Sequence, residues 1–364
     1  MGSMMAYGDL VALTESILSK GYGYSREEAE ITAWALAEAD ARGVPSHGVS
    51  RLAFYRMNRD LKFSRPGAEP EIVWETPCSL LVDGHDGVGA FVSEFCVKGV
   101  IEKARGVGSG FCAVRNSNHF GMAGLWAEMI AKNDMIGMAF TNTRTCAIPT
   151  FGRRRILGTN PIAVGIPEGN EHDGIFLLDM ATTTVAHGKV EVYDRRKKPM
   201  PLGWAVDENG VGTSDATEFE RMFLADDTYG GHLFLGGEGD ENGGHKGFGL
   251  GLLVELLCSG LSLGMSTIET FRKGHGSGIT HFFGAMRLDL FGDPKALKRR
   301  IGEILDAIRK SEKAEGQDRI YIHGEKESEA RAAAMKQGVF IDSATHDFLE
   351  SLAGEFGLQS PKWM

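Results

Sequence analysis

No stretch of this chain approaches the roughly 20 consecutive apolar residues that a membrane-crossing helix needs, so a protein that spans or anchors in a bilayer is not expected. Cysteine is scarce: five residues, Cys78, Cys96, Cys112, Cys146 and Cys258, are an odd number, widely spaced, and never form a C-x-x-C pair. Neither a disulfide framework nor a thiolate zinc site follows from such spacing, and buried small hydrophobes are the simpler expectation. A surplus of positive charge is also missing, since 39 Lys and Arg face 49 Asp and Glu for a formal net charge of −10. Bulk nucleic-acid binding needs clustered cations to displace counterions, so no nucleic-acid partner is expected. The one basic run, Arg195 to Lys198, lies in a polar stretch and reads as a solvated tip. The opening Met1 to Met5 has neither a basic nor an apolar leader segment, which makes the cytoplasm the expected location.

Two further absences concern chemistry. Despite 49 glycines there is no G-x-G-x-x-G and no G-x-x-x-x-G-K-[ST], so a dinucleotide, if bound, is not held by an ordinary Rossmann crossover or a P-loop. There is likewise no H-E-x-x-H and no tight His/Cys/Asp cluster, so no metal is expected.

What is present is an ordinary globular composition, 42% hydrophobic and 24% charged over 364 residues. From Tyr7 to Arg59 the texture is helical, with a capping box at Ser25 to Glu28. After Pro66 come strand-like runs, EIVWE, CSLLVD, GFCAVRN, MIGMAFTN and GIFLLDM, around a helix from about Ala90 to Arg105. A Gly-rich stretch from Gly236 to Gly251 leads into the apolar helix LGLLVELLCSGLSL, followed by the polar alternating THFFGAMRLDL. From Pro294 the pattern is helical again, with one strand-like RIYIH at 319–323. We therefore expect an α/β protein in three segments: residues 1–75 helical, 76–293 an α/β body, and 294–364 helical and returning to the N-terminal part. The longest loop-like stretch, Tyr193 to Glu218, is of a length that often carries function.

Four histidines stand next to or near glycines at predicted element boundaries: His47 in VPSHGVSRL, His119 in NSNHFG, His187 in TTTVAHGKV and His245 in GGHKG. Singly, each reads as structural; together, on loop ends gathered by a scaffold, they read as candidates for acid–base work. That work needs an imidazole near its working pH and, for an acidic substrate, a cation. His47 and Arg51 are four apart and share a face if the chain is helical from Gly48. Ser46 either orients His47 or caps that helix, and Arg51 is either a carboxylate clamp or a surface charge. Lys246, beside glycines that precede a helix, suits an anion, although a plain flexible turn is the competing reading.

Seven collinear motifs, SHGVSRL, NSNHFG, LGTNPIAVGIP, LDMATTTVAHGKV, PLGWAVDENG, GGHKGFGLGLLVE and IHGEKE, resemble the malate/L-lactate dehydrogenase family over about Tyr7 to Pro361. That group is distinct from the Rossmann-type enzymes and includes ureidoglycolate and sulfolactate dehydrogenases, diketogulonate reductases and cyclic-imine reductases. The resemblance implies a mixed, largely antiparallel sheet flanked by helices, with a helical domain built from the two chain ends. It implies an NAD-dependent oxidoreductase, NADP not excluded, that interconverts a small (S)-2-hydroxy acid and its 2-oxo acid, malate and oxaloacetate foremost; reduction of a cyclic imine carboxylate is the alternative, and a non-catalytic binding protein on the same scaffold the reading from another class. It implies a homodimer with the active site near the subunit interface. Carried over by position, His47 matches the proton donor/acceptor of some members and His119 that of others; from the residues themselves we expect His47 in that role with His119 as its essential partner, and Arg51 and Ser46 completing the catalytic set. Thr143, Asp179, Met180, Ala181, Thr182, Thr183, His187, His245, Lys246, His323, Gly324 and Glu325 fall in cofactor-contacting segments. This chain departs from the family pattern at His245, where an aromatic Tyr or Trp is usual, at His323, where proline is usual, and in PTFGRRR, which lacks a double glycine.

Overall fold

A computed structural model describes residues 2–169, 174–225 and 228–364. The chain opens with a short strand, β1 (Ser3–Met5), and three helices, α1 (Tyr7–Ser16), α2 (Arg26–Ala41) and α3 (Leu52–Asp60). The capping box at the start of α2 forms in both directions, Ser25 N–H to Glu28 and Glu28 N–H to Ser25 Oγ. This fixes where the helix begins and hence, sixteen residues on, where it delivers the chain.

The body follows as β2 (Glu71–Thr76), β3 (Ser79–Asp83), α4 (Gly89–Val107), β4 (Ser109–Ser117), α5 (Ala123–Ala131), β5 (Met135–Thr141), β6 (Ile162–Pro167) and β7 (Ile175–Met180). A smaller unit comprises α6 (His187–Arg195), β8 (Ala205–Val206), α7 (Ala216–Leu224) and β9 (Gly231–His232). The Gly-rich stretch then enters α8 (Gly244–Glu255), and β10 (Ile279–Arg287) returns to the sheet. The large sheet has the order β2-β3-β4-β10-β5-β6-β7, and only β3 and β4 run parallel, joined by α4.

The polar alternating THFFGAMRLDL lies in the middle of this sheet. Most of it is β10, paired on both sides and buried from Ile279 to Ala285; His281 is satisfied by Thr141 and Ser117 of the neighbouring strands, and Thr280 by Ser259 of the turn after α8. RIYIH forms no strand; it is an extended segment ending in a turn at His323, whose carbonyl accepts from Leu177 N–H of β7 at 3.1 Å.

One face of the sheet is covered by α4 and α5 around Trp126, Val97, Val100, Ile130 and Phe283. Each such large side chain, fully buried, contributes about 1.5–3 kcal/mol. The other face is covered by α8 and the turn after it, through Val254 and Cys258 against Phe140 and Phe282. Past the body, α9 (Pro294–Arg309) lies beside the end of β6, where Gly169 N–H reaches the Lys298 carbonyl. From α10 (Glu325–Gln337) the chain rejoins its beginning. β11 (Val339–Ile341) pairs antiparallel with β1, and α11 (Ser343–Glu355) reaches Arg56 of α3 through Glu355.

The ties between the helical unit and the sheet determine where the site lies. Arg42, just past α2, bonds Glu38 and makes a two-pronged contact with Glu128 of α5, at 3.2 and 2.9 Å. Arg42 and Glu38 are nearly inaccessible, so removing one partner leaves a buried charge, a change that costs about 3–5 kcal/mol. The pair holds α2, which leads into His47, against α5, which follows His119. No helix among the described residues is long and apolar enough to cross a membrane.

Candidate active site

The stretch from Pro45 to Arg51 is not one helix. Two single 3-10 turns, Pro45–His47 and Val49–Arg51, are separated by an extended Gly48. His47 and Arg51 thus do not share an α-helical face, and their proximity has another cause: Arg51 Nε donates to the Ser46 carbonyl. Asp40 Oδ2 accepts from Val49 N–H at 2.7 Å and pins the second turn from beneath. Burial pushes the Asp40 carboxyl up to about 7. Ser46 makes no side-chain cap; its Oγ lies 3.0 Å from His47 Nδ1, so of the two readings the orienting one matches the geometry. The two Nη groups of Arg51 have no hydrogen-bond or ion partner among the described residues.

His119 ends the segment after β4, and its ring stacks on that of His47 at 5.6 Å and 25°. Its Nδ1 meets the Tyr55 hydroxyl at 2.9 Å and the Gly121 N–H at 3.3 Å. A backbone N–H can only donate, so Nδ1 carries the lone pair and the neutral ring bears its proton on Nε2. Burial pushes the His119 imidazole well below its ordinary range, helped by the charges of His47 and Arg51. Burial and then Arg51 lower His47 to about 4. Both rings are accordingly neutral at pH 7, lowered by burial away from the working range that the sequence reading expected of an acid–base imidazole.

Two residues that the sequence reading missed set this geometry. Tyr55 follows Arg51 by four positions on α3, a spacing that could have flagged it. His281 could not have been found that way: it is fully buried in β10, bridges Thr141 Oγ1 and Ser117 Oγ at 2.8 Å each, and stacks on Phe120 at 4.5 Å. Gly89 matters equally, because a Cβ there would lie 2.2 Å from the Asn118 carbonyl and 2.4 Å from that of His119.

The cofactor candidates divide into those the fold gathers and those it sends elsewhere. Thr143 Oγ1 accepts from Thr159 N–H at 3.0 Å, and Thr182 Oγ1 donates to the Thr159 carbonyl at 2.9 Å. Leu235 N–H bonds the Thr182 carbonyl, Thr183 bridges to Phe234, and Gly247 of α8 is so close to Leu235 that a Cβ would sit 2.4 Å from its nitrogen. Thr143, Thr182, Thr183 and the α8 N-terminus therefore form one group around Thr159. His245 and Lys246 are exposed in the first turn of α8, and Lys246 has no ion partner among the described residues. Asp179 Oδ2 accepts from Gly124 N–H at 2.7 Å, which ties β7 to the start of α5, five residues beyond His119. Burial raises this carboxyl to about 6. Met180 pairs with Ile162 across β6 and β7, and Ala181 follows it toward Thr182.

His187, His323, Gly324 and Glu325 are engaged differently. His187 Nδ1 lies 3.0 Å from Nε2 of buried His232, its ring stacks on Phe223, and Glu220 is 3.4 Å from its Nε2, all within the small unit. His323 packs edge-on against Phe176, and Gly324, with φ +95°, caps α10. Glu325 is filled by Arg309 at 2.6 Å, Arg319 at 2.8 Å and the Ile322 N–H. Its carboxylate closes a turn through ion pairs, and both oxygens are engaged there.

Residues 5–350 match the family model described as malate/L-lactate dehydrogenase. The malate dehydrogenase of Pyrococcus abyssi is 39% identical over 352 residues, 96% of this chain and 94% of that protein. The L-sulfolactate dehydrogenase of Methanocaldococcus jannaschii is 36% identical over 342 residues, 93% of each. Among solved structures, malate dehydrogenase from Entamoeba histolytica superposes with a TM-score of 0.94 at 31% identity, covering 100% of both chains.

Proposed function

Because the chain belongs to the malate/L-lactate dehydrogenase family and so is an oxidoreductase acting on a hydroxy acid with a nicotinamide cofactor, we propose that it interconverts (S)-malate and oxaloacetate with NAD in the cytoplasm. The observation that carries this reading is the stacked pair of neutral imidazoles, His47 and His119, beside the unpaired guanidinium fork of Arg51.

The α8 N-terminus and Lys246 fit a dinucleotide, since the positive end of a helix and an ammonium without an ion partner among the described residues suit a pyrophosphate. Asp179 Oδ1, with no protein partner among the described residues, suits an amide or hydroxyl donor. When bound, the nicotinamide supplies or accepts the hydride at C2 of the acid. The remaining work falls to this chain. Arg51 holds the carboxylate next to C2 in a two-pronged contact. His119, with its proton on Nε2, donates to the 2-oxo oxygen, and in the other direction a proton returns to that nitrogen. His47 hydrogen-bonds the same oxygen and is oriented by Ser46. This exchanges the roles expected from the sequence, because His119 has a fixed tautomer and a hydroxyl behind it, whereas His47 is backed by an exposed serine.

We further propose a homodimer. The supporting feature is a row of exposed leucines on and after α8, Leu253 at 47%, Leu256 at 58% and Leu263 at 80%, apolar side chains that a second copy would take out of water.

The test is turnover of a panel of 2-oxo acids and a cyclic imine carboxylate, each with NADH and NADPH, followed by absorbance. Oxaloacetate with NADH is expected to be fastest. No turnover of any 2-oxo acid by folded protein would sink the reading, a preference for the imine would move it to C=N reduction, and a preference for NADPH would overturn the cofactor choice.

A further inference from the structure

Beside Tyr55 and His119 lies a small cavity, about 10 Å³, roughly what one water needs. Tyr55, Asn58, Ser64, Asn118 and His119 line it, along with Gly89. Three of these side chains carry a buried oxygen without a hydrogen-bond partner among the described residues: Asn58 Oδ1, Ser64 Oγ and Asn118 Oδ1. Their residues are 2%, 6% and 4% exposed. The Asn118 amide cannot be turned around to escape this, because its Nδ2 donates to the carbonyls of Asp86 and Gly87, at 2.9 Å each. Leaving such a group unsatisfied forfeits the hydrogen bond it makes to water in the unfolded chain, and three of them around one water-sized space make hydration the favourable state.

We propose that this cavity is a water-binding site and that its water, Tyr55 and His119 form a proton relay to the substrate oxygen. The proposal rests on the 2-oxo acid reductase reading given above. One water accepts from Ser64 Oγ–H and donates to two of its three acceptors at a time, Tyr55 Oη, Asn58 Oδ1 and Asn118 Oδ1. Donation to Tyr55 directs that hydroxyl's own proton at His119 Nδ1, 2.9 Å away.

During reduction the His119 Nε2–H bond breaks as the O–H bond of the product forms. Nδ1 takes the Tyr55 proton, Tyr55 Oη takes one from the water, and solvent replaces the proton the water gives up. The substrate gains a hydride from the reduced nicotinamide and one proton from solvent, and His119 ends as the other neutral tautomer. After product leaves, solvent in the cleft protonates Nε2 and the Nδ1 proton returns by the same path. A ring kept neutral by burial gives up its only N–H in this way without becoming an imidazolate. Solvent can reach the water, since the cavity is only partly enclosed.

Two measurements decide it. A high-resolution crystal structure is expected to show an ordered water bonded to Ser64 Oγ, Asn118 Oδ1 and Tyr55 Oη; a dry cavity would overturn the site. Rates of oxaloacetate reduction in mixtures of light and heavy water are expected to bend with deuterium fraction, as when several protons move together. Ser64→Val, which fills the cavity, should straighten that plot and lower kcat about tenfold, less than the ~10²–10⁴ of losing an acid–base group, with KM unchanged. Ser64→Thr should restore both. A straight plot for the wild type, or an unaltered one for Ser64→Val, would overturn the relay, and the wild-type plot decides even where Ser64→Val does not fold. Absence of turnover on every 2-oxo acid would remove the relay together with the reading it rests on, while an ordered water would still establish the site.

Discussion

The hydroxyl of Tyr55 lies 2.9 Å from Nδ1 of His119, the nitrogen that the Gly121 N–H requires to carry a lone pair, so a side chain of α3 donates to a ring 64 residues away. Removing only that oxygen tests the relationship. Tyr55→Phe is expected to lower kcat for oxaloacetate reduction by about 10–100-fold, below the loss for a direct acid–base group, and to leave KM and NADH affinity within a factor of two or so. Steady-state kinetics beside a cofactor titration check this. An unchanged kcat would reduce the contact to ordinary core hydrogen bonding.

Arg51 is held at Nε by the Ser46 carbonyl and offers its remaining donors as a planar fork. An ammonium cannot match a carboxylate at two points. Arg51→Lys should raise KM for the 2-oxo acid about tenfold or more, roughly the loss of one charge-assisted hydrogen bond, with NADH affinity intact. Wild-type kinetics in this variant would return Arg51 to the status of a surface charge.

Lys246 stands free in the first turn of α8. Lys246→Ala is expected to weaken NADH binding about tenfold without changing KM for the acid extrapolated to saturating cofactor. Calorimetric titration reads the first and initial rates the second. Equal NADH affinity would show that the glycine-bounded helix start serves only as a turn.

The pH dependence of stability follows from buried groups. His47 is lowered from 6.5 to about 4, and burial takes His232 and His281 to about 3. Between those values and 6.5 the unfolded chain binds more protons, so their contribution is complete above pH 6.5 and is lost as pH falls toward 3. Asp40 has the opposite sign: raised from 3.8 to about 7, its contribution is complete below 3.8 and is lost as pH rises through 7. Thermal unfolding should therefore show a steady loss of Tm on the acid side. Asp40→Asn should raise Tm more at about pH 8 than at about pH 5. An equal shift at both would mean that Asp40 titrates normally.

Leu253 and Leu256 are large apolar side chains facing solvent on consecutive turns. If a second copy covers them, the double substitution Leu253→Asp, Leu256→Asp should halve the mass read by light scattering. A wild-type protein already monomeric at micromolar concentration would remove the proposed dimer.

What the sequence determined by itself was local. Period-two and helical patterns placed β2, β3, β4, β5, β7 and α4 within a few residues, and the Ser25/Glu28 pair marked the start of α2, because these features depend only on neighbours along the chain. The histidine-glycine motifs singled out His47 and His119 because imidazoles at element ends are chemically conspicuous. What only tertiary structure decided was everything that depends on distant partners. THFFGAMRLDL reads as polar, yet it is the middle of the sheet, since Thr141 and Ser117 on neighbouring strands satisfy His281. Glu325 lies in a cofactor-like motif, yet Arg309 and Arg319 occupy its carboxylate. Arg51 is brought to His47 by a backbone carbonyl across a broken helix, where the sequence suggested an i, i+4 face. The tautomer of His119 rests on Tyr55 and Gly121, and the polar atoms behind it come from α3, the loop after α3 and the end of β4. A hydrogen bond forms wherever the fold brings donor and acceptor together, and sequence spacing encodes that meeting only when both lie on the same element.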